Sequence, residues 1–514
     1  MKPDTILIFN FGGQYCHLIG RRIRNNNVYS EIVSHDTSVK EIKKLEERLN
    51  VRGIVLSGGP SSIYEKKSPK IKREILKLPI PILGLCYGHQ LIAYYTGGKV
   101  KPTKKKEYGI SFATIDKASG LLKGLGKKEK IWMSHGDTVF RVSNDFEVMA
   151  RTNNCPVAAF RHKQKPIYGI QWHPEVTHTE NGNKILRNFL FEICKCKPSW
   201  NVENLIGRLI AGIKEIVGDS KVMVALSGGI DSSTATVLAS KALGKNLTAV
   251  FVDNGLMREN EPEQIRKTFK KFNINFISVN AKDRFLKRLK GIIDPEEKRK
   301  IIGKNFIRVF EDVAKKIKAT YLLQGTIYPD RIESGYSKRS DKIKTHHNVA
   351  GLPTKIKFKG IVEPLKDLYK DEVRELAKQL GLPKEITCRQ PFPGPGLAVR
   401  IIGEVTKEKL KLSREADKIL TEEIEKSGLN DNLWQYFAVL TDTKSTGVRG
   451  DARSYGYTVA IRIVESKEAM TASFSKISYD ILENISTKIT NEVPQIVRVV
   501  YDITNKPPST IEWE

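Results

Sequence analysis

Short runs of aliphatic and β-branched residues alternate with helix-like stretches through the first part of this chain. The runs TILIFN, RGIVL and IPILGL each end in glycine or a polar turn, as buried strands typically do. Stretches such as SVKEIKKLEERL repeat apolar residues three or four positions apart, which is the spacing of a helix face. Because the two kinds of segment alternate, we expect an open α/β sheet whose strands are mostly parallel.

The alternation continues in the middle of the chain. Strand-like runs KVMVAL, NLTAVFVDNG, INFISVNA and TYLLQGT are separated by helical stretches, of which PEEKRKIIGKNFIRVFEDVAKKIKA is the longest. Consecutive strands joined by helices fold most simply into one parallel sheet with helices on both faces. This segment therefore predicts a doubly wound parallel sheet.

The remainder of the chain follows another order. A charged helical stretch, KEKLKLSREADKILTEEIEK, precedes the long β runs YGYTVAIRIVES and IVRVVYDIT, and a second helical stretch separates those runs. This order is typical of an α+β domain. The pattern breaks at KCKPSWN and at the proline- and glycine-rich residues 391–396. We therefore predict three domains within the 514 residues, at 1–197, 198–389 and 390–514.

Composition excludes a disordered chain and a small disulfide-rich scaffold. Hydrophobic residues make up 40% and charged residues 28%, which is enough apolar material for several buried cores. The net charge of +29 suits anionic ligands such as nucleotides. Lysine is favoured over arginine nearly everywhere and the lysine runs carry no interleaved aromatic residues, so we interpret most of the excess as a solvated surface and expect no nucleic-acid partner.

The six cysteines are too few and too scattered to staple a chain of this size, which indicates a reducing compartment, the cytoplasm. The N-terminal segment shows no export signal. Residues 78–98 hold no charge and are long enough to cross a bilayer, but two prolines and four glycines interrupt them. We interpret this stretch as a strand, a turn and a helix, and expect no membrane partner.

A candidate nucleophile lies within that stretch. Cys86 stands in GLCYG between an apolar run and a helical stretch, which is the layout of a strained strand-to-helix turn. At such a position the positive end of the helix favours the thiolate. His173 and Glu175 in QWHPE lie two residues apart, so that in an extended segment the carboxylate can orient the imidazole as a base. Backbone N–H groups of Tyr87 and Gly59 are the predicted donors to an oxyanion.

The motifs SGGP, GLCYGHQ and HPE, in this order and spacing, resemble class I glutamine amidotransferases over about the first 195 residues. The resemblance implies an amidotransferase open sheet and a Cys86, His173 and Glu175 triad. Their implied chemistry is a thioester formed on the side-chain amide of glutamine, release of ammonia, and hydrolysis to glutamate. We assign no role to His17, His35, His89, His135, His162 or His178, which show no metal-ligand spacing.

A second constellation follows the strand KVMVAL and opens a helix. Glycine, hydroxyl groups and the helix N-terminus can together hold a phosphate. The loop SGGIDSS comprises Ser227, Gly228, Gly229, Ile230, Asp231, Ser232 and Ser233. It resembles the signature of the N-type ATP pyrophosphatases, which bind ATP as a co-substrate on this loop and cleave between its α and β phosphates. Asp231 is then the expected ligand of Mg²⁺, because leaving pyrophosphate requires a hard cation.

Several further segments narrow the choice among such enzymes. With the order of domains, the segments VDNGLMR, THHN, EPLKD, PFPGPGL and KPPSTIEWE resemble the family of glutamine-hydrolysing GMP synthases along the full length. The resemblance implies that XMP is adenylylated by ATP and then aminated by ammonia from L-glutamine, releasing AMP and pyrophosphate. It implies that Arg258, Gln435, Lys506 and Glu512 contact XMP, and that the last domain forms a homodimer.

Two alternatives remain open from the sequence. The first is another glutamine-dependent N-type ATP pyrophosphatase that amidates a different acceptor, against which the KPPSTIEWE tail argues. The second is a basic nucleic-acid-binding or regulatory protein that uses the fold without its activity. The absence of aromatic residues interleaved with the lysine runs disfavours the second alternative.

Overall fold

The computed structural model describes residues 2–272, 274–336, 358–466 and 471–514, so the THHN motif lies outside the described residues. Its contacts form two compact units, Met1–Leu205 and Ile206–Glu514, which we call unit 1 and unit 2. The three predicted domain limits stay predictions. In the described part of the chain, no helix combines the length and the apolar character needed to cross a bilayer.

Unit 1 is built around one large sheet. Its strands are β1 (Asp4–Asn10), β2 (Tyr29–Ser34), β3 (Asn50–Leu56), β4 (Ile82–Leu85), β5 (Lys99–Ile115), β6 (Lys128–Arg141), β7 (Phe146–Arg151), β8 (Ala159–His162) and β9 (Ile167–Ile170). Its helices are α1 (Cys16–Arg24), α2 (Val39–Glu46), α3 (Tyr87–Tyr95) and α4 (Gly182–Arg187), which a π-helical turn, Asn188–Ile193, extends. The helix α5 (Val202–Val217) runs across the boundary between the two units.

The sheet of unit 1 is parallel on one side and antiparallel on the other. The strand order is β2-β1-β3-β4-β9-β8-β7-β5-β6, and the first five strands pair in parallel. The last four pairings are antiparallel, so the expectation of a mostly parallel sheet holds for only half of it. The antiparallel half was missed because β5 is a lysine-rich strand with little apolar alternation at its start. Residues 78–98 contain β4 and α3, as predicted.

Unit 2 contains a second set of elements. Its strands are β10 (Val222–Leu226), β11 (Leu247–Asp253), β12 (Asn275–Asn280), β13 (Tyr321–Leu323), β14 (Gly360–Val362), β15 (Gln435–Arg449), β16 (Ala452–Glu465), β17 (Ser473–Phe474) and β18 (Ile496–Tyr501). Its further helices are α6 (Ile230–Leu243), α7 (Glu261–Lys270), α8 (Lys282–Leu289), α9 (Pro295–Ile317), α10 (Tyr328–Tyr336), α11 (Lys370–Gln379), α12 (Lys384–Thr387), α13 (Lys407–Lys426) and α14 (Tyr479–Glu492).

Two sheets organise unit 2, and both agree with the predicted fold classes. The order β12-β11-β10-β13-β14 is parallel throughout, as a doubly wound sheet requires. The second sheet pairs β16 antiparallel with β15 and β17 and parallel with β18. Helices α13 and α14 pack with this sheet in an α+β arrangement.

One apolar core joins the two sheets of unit 2. It contains Met223 and Val250 from the parallel sheet, Ile461 from the second sheet, and Leu397 from the segment between them. The proline- and glycine-rich residues 391–396 thus lead directly into the buried 3₁₀ turn Gly396–Val399 instead of forming an exposed linker. Because burial of this shared apolar surface stabilises both sheets, each sheet depends on the other.

The C-terminal residues are anchored on α9 through a buried lysine. The side chain of Lys298 is fully buried, and its Nζ donates to the carbonyl oxygens of Ala398 and Ile401 at 3.2 and 2.8 Å. The same Nζ lies 2.5 Å from Glu514 Oε2. Arg299 donates to the backbone oxygen of Glu514. A buried ammonium requires such partners, since desolvating an unpaired charge is costly.

We expect Lys298→Met to lower the stability of unit 2 by about 3 kcal/mol, because the substitution leaves the Glu514 carboxylate buried without its ammonium partner. The measurement is the thermal unfolding transition of the full chain. Lys300→Met, an exposed neighbour on the same helix, is the matched control and should unfold as the wild type does. Equal transitions for the two variants would contradict the role assigned to the Lys298 anchor.

Candidate active sites

Cys86 lies at a sharp turn between β4 and α3. Its φ of +50° is in the left-handed region, which a non-glycine residue adopts only under strain. Gly84 and Gly88 permit this turn, because a Cβ on Gly84 would lie 2.6 Å from the Gly88 carbonyl carbon and a Cβ on Gly88 would lie 2.3 Å from Leu56 O. The geometry is that of a strand-to-helix elbow which presents one side chain at the carboxyl edge of the sheet.

His173 and Glu175 form a buried pair after β9. His173 Nδ1 lies 2.7 Å from Glu175 Oε1, and Glu175 is fully buried. The pairing agrees with the prediction but its cause differs, because residues 174–175 form a turn and the segment is not extended. The ring of Tyr15 meets the His173 ring edge-on at 5.0 Å, and Arg22 Nε donates to Glu175 O at 2.9 Å. The sequence pattern did not reveal these two contacts.

The electrostatics of this pair favour a protonated imidazole. Although burial opposes the charged form, the carboxylate of Glu175 and the adjacent Cys86 raise the pKa of His173 well above its ordinary value. Burial raises the pKa of the nearby Cys16 thiol, and that of Cys155, to about 12. Those two cysteines therefore remain thiols at neutral pH, which argues against either of them as a nucleophile.

The two residues predicted to supply the oxyanion donors, Tyr87 and Gly59, lie close to each other, and their role stays a prediction. Tyr87 is the first residue of α3, so its N–H has no carbonyl acceptor within the helix. A Cβ on Gly59 would lie 2.9 Å from Phe11 O and 3.5 Å from the Tyr87 ring, so only glycine fits the turn after β3. Its neighbour Gly58 was not predicted, although a Cβ there would lie 3.1 Å from His173 Cε1 and 3.6 Å from Cys86 Cβ.

The strand β6 supplies further polar groups around Cys86 that sequence reasoning missed. The Cys86 thiol donates to Ser134 O at 3.4 Å, and Gln90 Nε2 donates to Asp137 O at 2.8 Å. His135, which lies between Ser134 and Asp137 in the sequence, has its Nε2 3.1 Å from Glu107 Oε2. Although burial opposes it, the His135 contact holds the pKa of Glu107 below its usual range. The sequence analysis assigned no role to His135, which the structure shows in a buried pair that joins β5 and β6.

In unit 2, the predicted phosphate loop connects β10 to α6. Gly228 has a φ of +79°, and α6 begins at Ile230 with Asp231 in its first turn. Ser227 Oγ lies 2.8 Å from Ser232 Oγ, and Gly229 N–H donates to Ser227 Oγ at 3.3 Å. The loop therefore closes on itself through hydroxyl groups, beside a helix N-terminus that attracts anions. Ser233 is buried in the helix, and its Oγ has no hydrogen-bond partner among the described residues.

Asp231 carries one engaged oxygen and one free oxygen. Lys370 Nζ, at the start of α11, lies 2.5 Å from Asp231 Oδ2. Asp231 Oδ1 is buried and has no hydrogen-bond partner in the part of the chain that the structure describes. Mg²⁺ prefers oxygen ligands, so a carboxylate oxygen that lacks a hydrogen-bond partner beside a phosphate loop is suited to bind it. Among the described residues no three acidic, His or Cys side chains cluster as a metal site, so the nucleotide phosphates would have to supply further oxygens.

Two of the predicted XMP contacts touch each other. Gln435 Nε2 lies 3.3 Å from Glu512 Oε1 and 3.0 Å from Pro391 O. The Glu512 carboxylate also accepts two hydrogen bonds from the buried Arg400, at 3.0 and 2.9 Å. Arg400, which the sequence did not single out, therefore fixes this carboxylate in a bidentate pair.

Arg258 is joined to this group through an aromatic ring. Its guanidinium lies 4.8 Å from the centre of the Phe392 ring, and that of Arg400 lies 5.1 Å from the same centre. Arg258 Nε is 3.3 Å from Asp417 Oδ2, while Arg258 Nη2 is buried without a hydrogen-bond partner among the described residues. The backbone of Lys506 pairs with that of Ala472, which fixes the position of this residue beside the C-terminal sheet.

Comparisons with known proteins match each part of the chain. The family model of "Glutamine amidotransferase class-I" matches residues 7–193, that of "NAD synthase" matches 205–336, and that of "GMP synthase C terminal domain" matches 422–513. Proteins named "GMP synthase [glutamine-hydrolyzing]" from Caldicellulosiruptor saccharolyticus and Clostridium tetani are 54% and 51% identical to the chain over 516 aligned positions. A protein of the same name from Clostridium botulinum strain Langeland is 50% identical. Each alignment covers 100% of both chains. The chain therefore belongs to the family of glutamine-hydrolysing GMP synthases.

Proposed function

We propose that this chain converts XMP to GMP, with glutamine as nitrogen donor and ATP as the source of activation. The products besides GMP are glutamate, AMP and pyrophosphate. One observation carries the proposal: an elbow cysteine beside a buried His–Glu pair and a phosphate loop of the ATP pyrophosphatase type occur in one chain. The full-length similarity to proteins named GMP synthase supports the same combination.

In the first half of the reaction, unit 1 hydrolyses glutamine. The Cys86 thiolate attacks the side-chain amide carbon, and the backbone N–H groups of Tyr87 and Gly59 stabilise the oxyanion that forms. His173 gives its proton to the departing nitrogen, so the C–N bond breaks and ammonia leaves a thioester on Cys86. His173 then takes a proton from water, whose oxygen attacks the thioester and releases glutamate. Glu175 holds the imidazole in orientation throughout.

In the second half, unit 2 activates the acceptor. The C2 oxygen of XMP attacks the α phosphorus of ATP, and pyrophosphate leaves from the loop formed by Ser227, Gly228, Gly229, Ile230, Asp231, Ser232 and Ser233. Ammonia then adds at C2, loses a proton, and displaces AMP to give GMP. The α6 N-terminus and the loop hydroxyl groups hold the phosphates in place. The amine of Lys370 is well placed to offset phosphate charge beside Asp231.

We propose Mg²⁺ as the metal of this half, held by Asp231 together with phosphate oxygens. The unpartnered Asp231 Oδ1 supports this assignment. When bound, Mg²⁺ neutralises charge that develops on the departing pyrophosphate.

The acceptor site is proposed around Arg258, Gln435, Lys506 and Glu512. Arg258 Nη2 has no hydrogen-bond partner among the described residues and can donate to a phosphate oxygen. The carboxylate of Glu512, with its position set by Arg400, and the amide of Gln435 can read a ribose or purine edge. Lys506 supplies a second cation for the phosphate.

The NAD synthase model matches residues 205–336. Taken by itself, this match is compatible with an ATP pyrophosphatase that acts on an acceptor other than XMP. That match ends before β15, β16 and the C-terminal residues, whereas the GMP synthase C-terminal domain matches 422–513. Since Gln435 and Glu512 lie within this second match, the acceptor side of the site favours XMP.

We further propose that the enzyme is a homodimer that uses the surface around the groove between α14 and β18. Tyr479 on α14 is 88% exposed, Ile503 is 64% exposed, and Val500 on β18 is 42% exposed. Tyr479 and Val500 line the same shallow groove. Exposed apolar groups beside a shallow groove favour association with a second copy of the same surface.

The cytoplasm is the proposed compartment. All six cysteines are free thiols, and the proposed nucleophile Cys86 must stay reduced to act.

We expect Cys86→Ala to lose GMP formation from glutamine and to keep it from ammonium, because the substitution removes the nucleophile of unit 1 only. The measurement is GMP formation from XMP, ATP and Mg²⁺ with each nitrogen donor, on wild type and variant. Cys155→Ala, a buried cysteine of the same unit, is the control and should use both donors. If the folded wild type makes GMP from neither donor, the proposed function is wrong.

We expect Glu175→Gln to lower the pKa of His173, because the carboxylate charge is what chiefly raises it against burial. A raised pKa in the folded state contributes stability below the unfolded value of about 6.5, and the contribution is lost as pH rises through the folded pKa. In Glu175→Gln that loss occurs at lower pH, and glutamine-dependent activity should fall by about 10²- to 10⁴-fold.

The measurement is an NMR titration of the full chain labelled at histidine, together with glutaminase assays. Ammonium-dependent GMP formation should be unchanged in Glu175→Gln. An unaltered His173 titration in the variant would contradict the electrostatic role of Glu175.

We expect the double variant Tyr479→Asp with Val500→Asp to be monomeric, because two buried carboxylates without partners would oppose dimerisation. The mass is measured by light scattering after gel filtration. Ile293→Asp, which changes an exposed apolar residue outside this face, should retain the mass of the wild type. A monomeric wild type, or a double variant that remains dimeric, would show that this face is not the interface.

A further inference from the structure

Three consecutive residues, 389–391, contact both candidate nucleotide sites of unit 2. Arg389 Nη1 donates to the backbone oxygen of Gly228, in the phosphate loop, at 3.1 Å. Pro391 O accepts from Gln435 Nε2, in the acceptor site, at 3.0 Å. Between them, Gln390 Oε1 accepts from the backbone N–H of Tyr436 at 2.9 Å. The 389–391 segment thus connects the ATP loop to the acceptor side over one continuous stretch of backbone.

A second connection runs through Glu261. Arg389 forms an ion pair with the Glu261 carboxylate. Glu261 Oε2 also accepts from the backbone N–H of Arg258 at 3.0 Å. Because Arg258 is a proposed XMP contact, the guanidinium of Arg389 touches the ATP loop directly and the acceptor site through one carboxylate.

The surroundings of Arg389 make these contacts stiff. Its side chain and that of Glu261 are largely buried, and a charge-assisted pair is stronger where water is excluded. Burial and the neighbouring Arg258 lower the pKa of Arg389 to about 10, which leaves it charged at neutral pH. A Cβ on Gly228 would lie 3.4 Å from Arg389 Nη1 and 2.2 Å from Ile265 Cδ1. The loop backbone at Gly228 therefore packs closely against both Ile265 and the guanidinium of Arg389.

We propose that Arg389 is a positioning residue that couples the binding of ATP to the binding of XMP, a role that rests on the proposed function. A phosphate that draws the Gly228 turn into its bound position also fixes Arg389, Glu261 and the backbone of Arg258. By thermodynamic linkage the two ligands then strengthen each other by the same factor. Ordering both sites together also favours a reactive alignment of the two bound nucleotides.

The test is calorimetric binding of XMP to the full chain, with Mg²⁺, in the absence and presence of α,β-methylene-ATP. In the wild type we expect the analogue to tighten XMP binding about 5-fold or more. The coupling ratio is the Kd of XMP without the analogue divided by the Kd with it. In Arg389→Met we expect this ratio to fall to about 1, because the contacts with Gly228 and with Glu261 are both lost. The Kd of XMP measured without the analogue should change by a smaller factor in Arg389→Met than the coupling ratio does.

Two further variants separate coupling from a merely structural role. Glu261→Gln keeps the size of the side chain and breaks the ion pair, so the ratio should fall here too, even if Arg389→Met does not fold. Arg389→Lys should restore only part of the ratio, because one ammonium cannot reproduce the forked contact with both partners. Arg284→Met removes an arginine that pairs with Asp312 at the surface, and should keep the full ratio.

A wild-type ratio of 1 would overturn the proposal, and so would a folded Arg389→Met or Glu261→Gln that retains the wild-type ratio. GMP formation from ammonium is measured on the same wild-type preparation. If the preparation makes GMP but the analogue does not tighten XMP binding, only the role of Arg389 is wrong. If it makes no GMP, the proposed function is wrong.

Discussion

Both candidate sites depend on one constraint, which is that a parallel strand ends and a helix begins within a few residues. Cys86 stands at such a junction after β4, and the 227–229 turn stands at another after β10. At each junction the first N–H groups of the helix lack acceptors in the helix itself. In unit 1 they can serve an oxyanion, and in unit 2 they can serve a phosphate. In the proposed function, the same backbone geometry serves two different reactions, and the side chains around each junction determine which one.

The local parts of the two sites could be predicted from the sequence. A strand, a glycine turn and a helix follow one another directly in the chain, so Cys86 and the loop at 227–233 were found where the structure places them. The His173 and Glu175 contact was found because the two residues are close in sequence, although a turn produces it.

The remaining contacts of the two sites join residues that are far apart in the chain, so they could not be predicted from local sequence. Lys370, Arg389 and Arg400 reach their partners across more than 100 residues, and no local pattern marks an arginine or lysine that will be buried. The antiparallel half of the first sheet was missed for a related reason, since pairing partners are chosen by tertiary packing. The roles assigned to the XMP contacts stay predictions.

The shared apolar core of unit 2 has a consequence for how such an enzyme can be rearranged during evolution. A gene break near codon 390 would leave Leu397, Ala398 and Ile401 on one polypeptide and their partners, such as Val250, on the other. Each fragment would expose a wide apolar surface and tend to aggregate before the fragments met. The shared core therefore favours keeping residues 206–514 on one polypeptide, although they carry two sheets of different class.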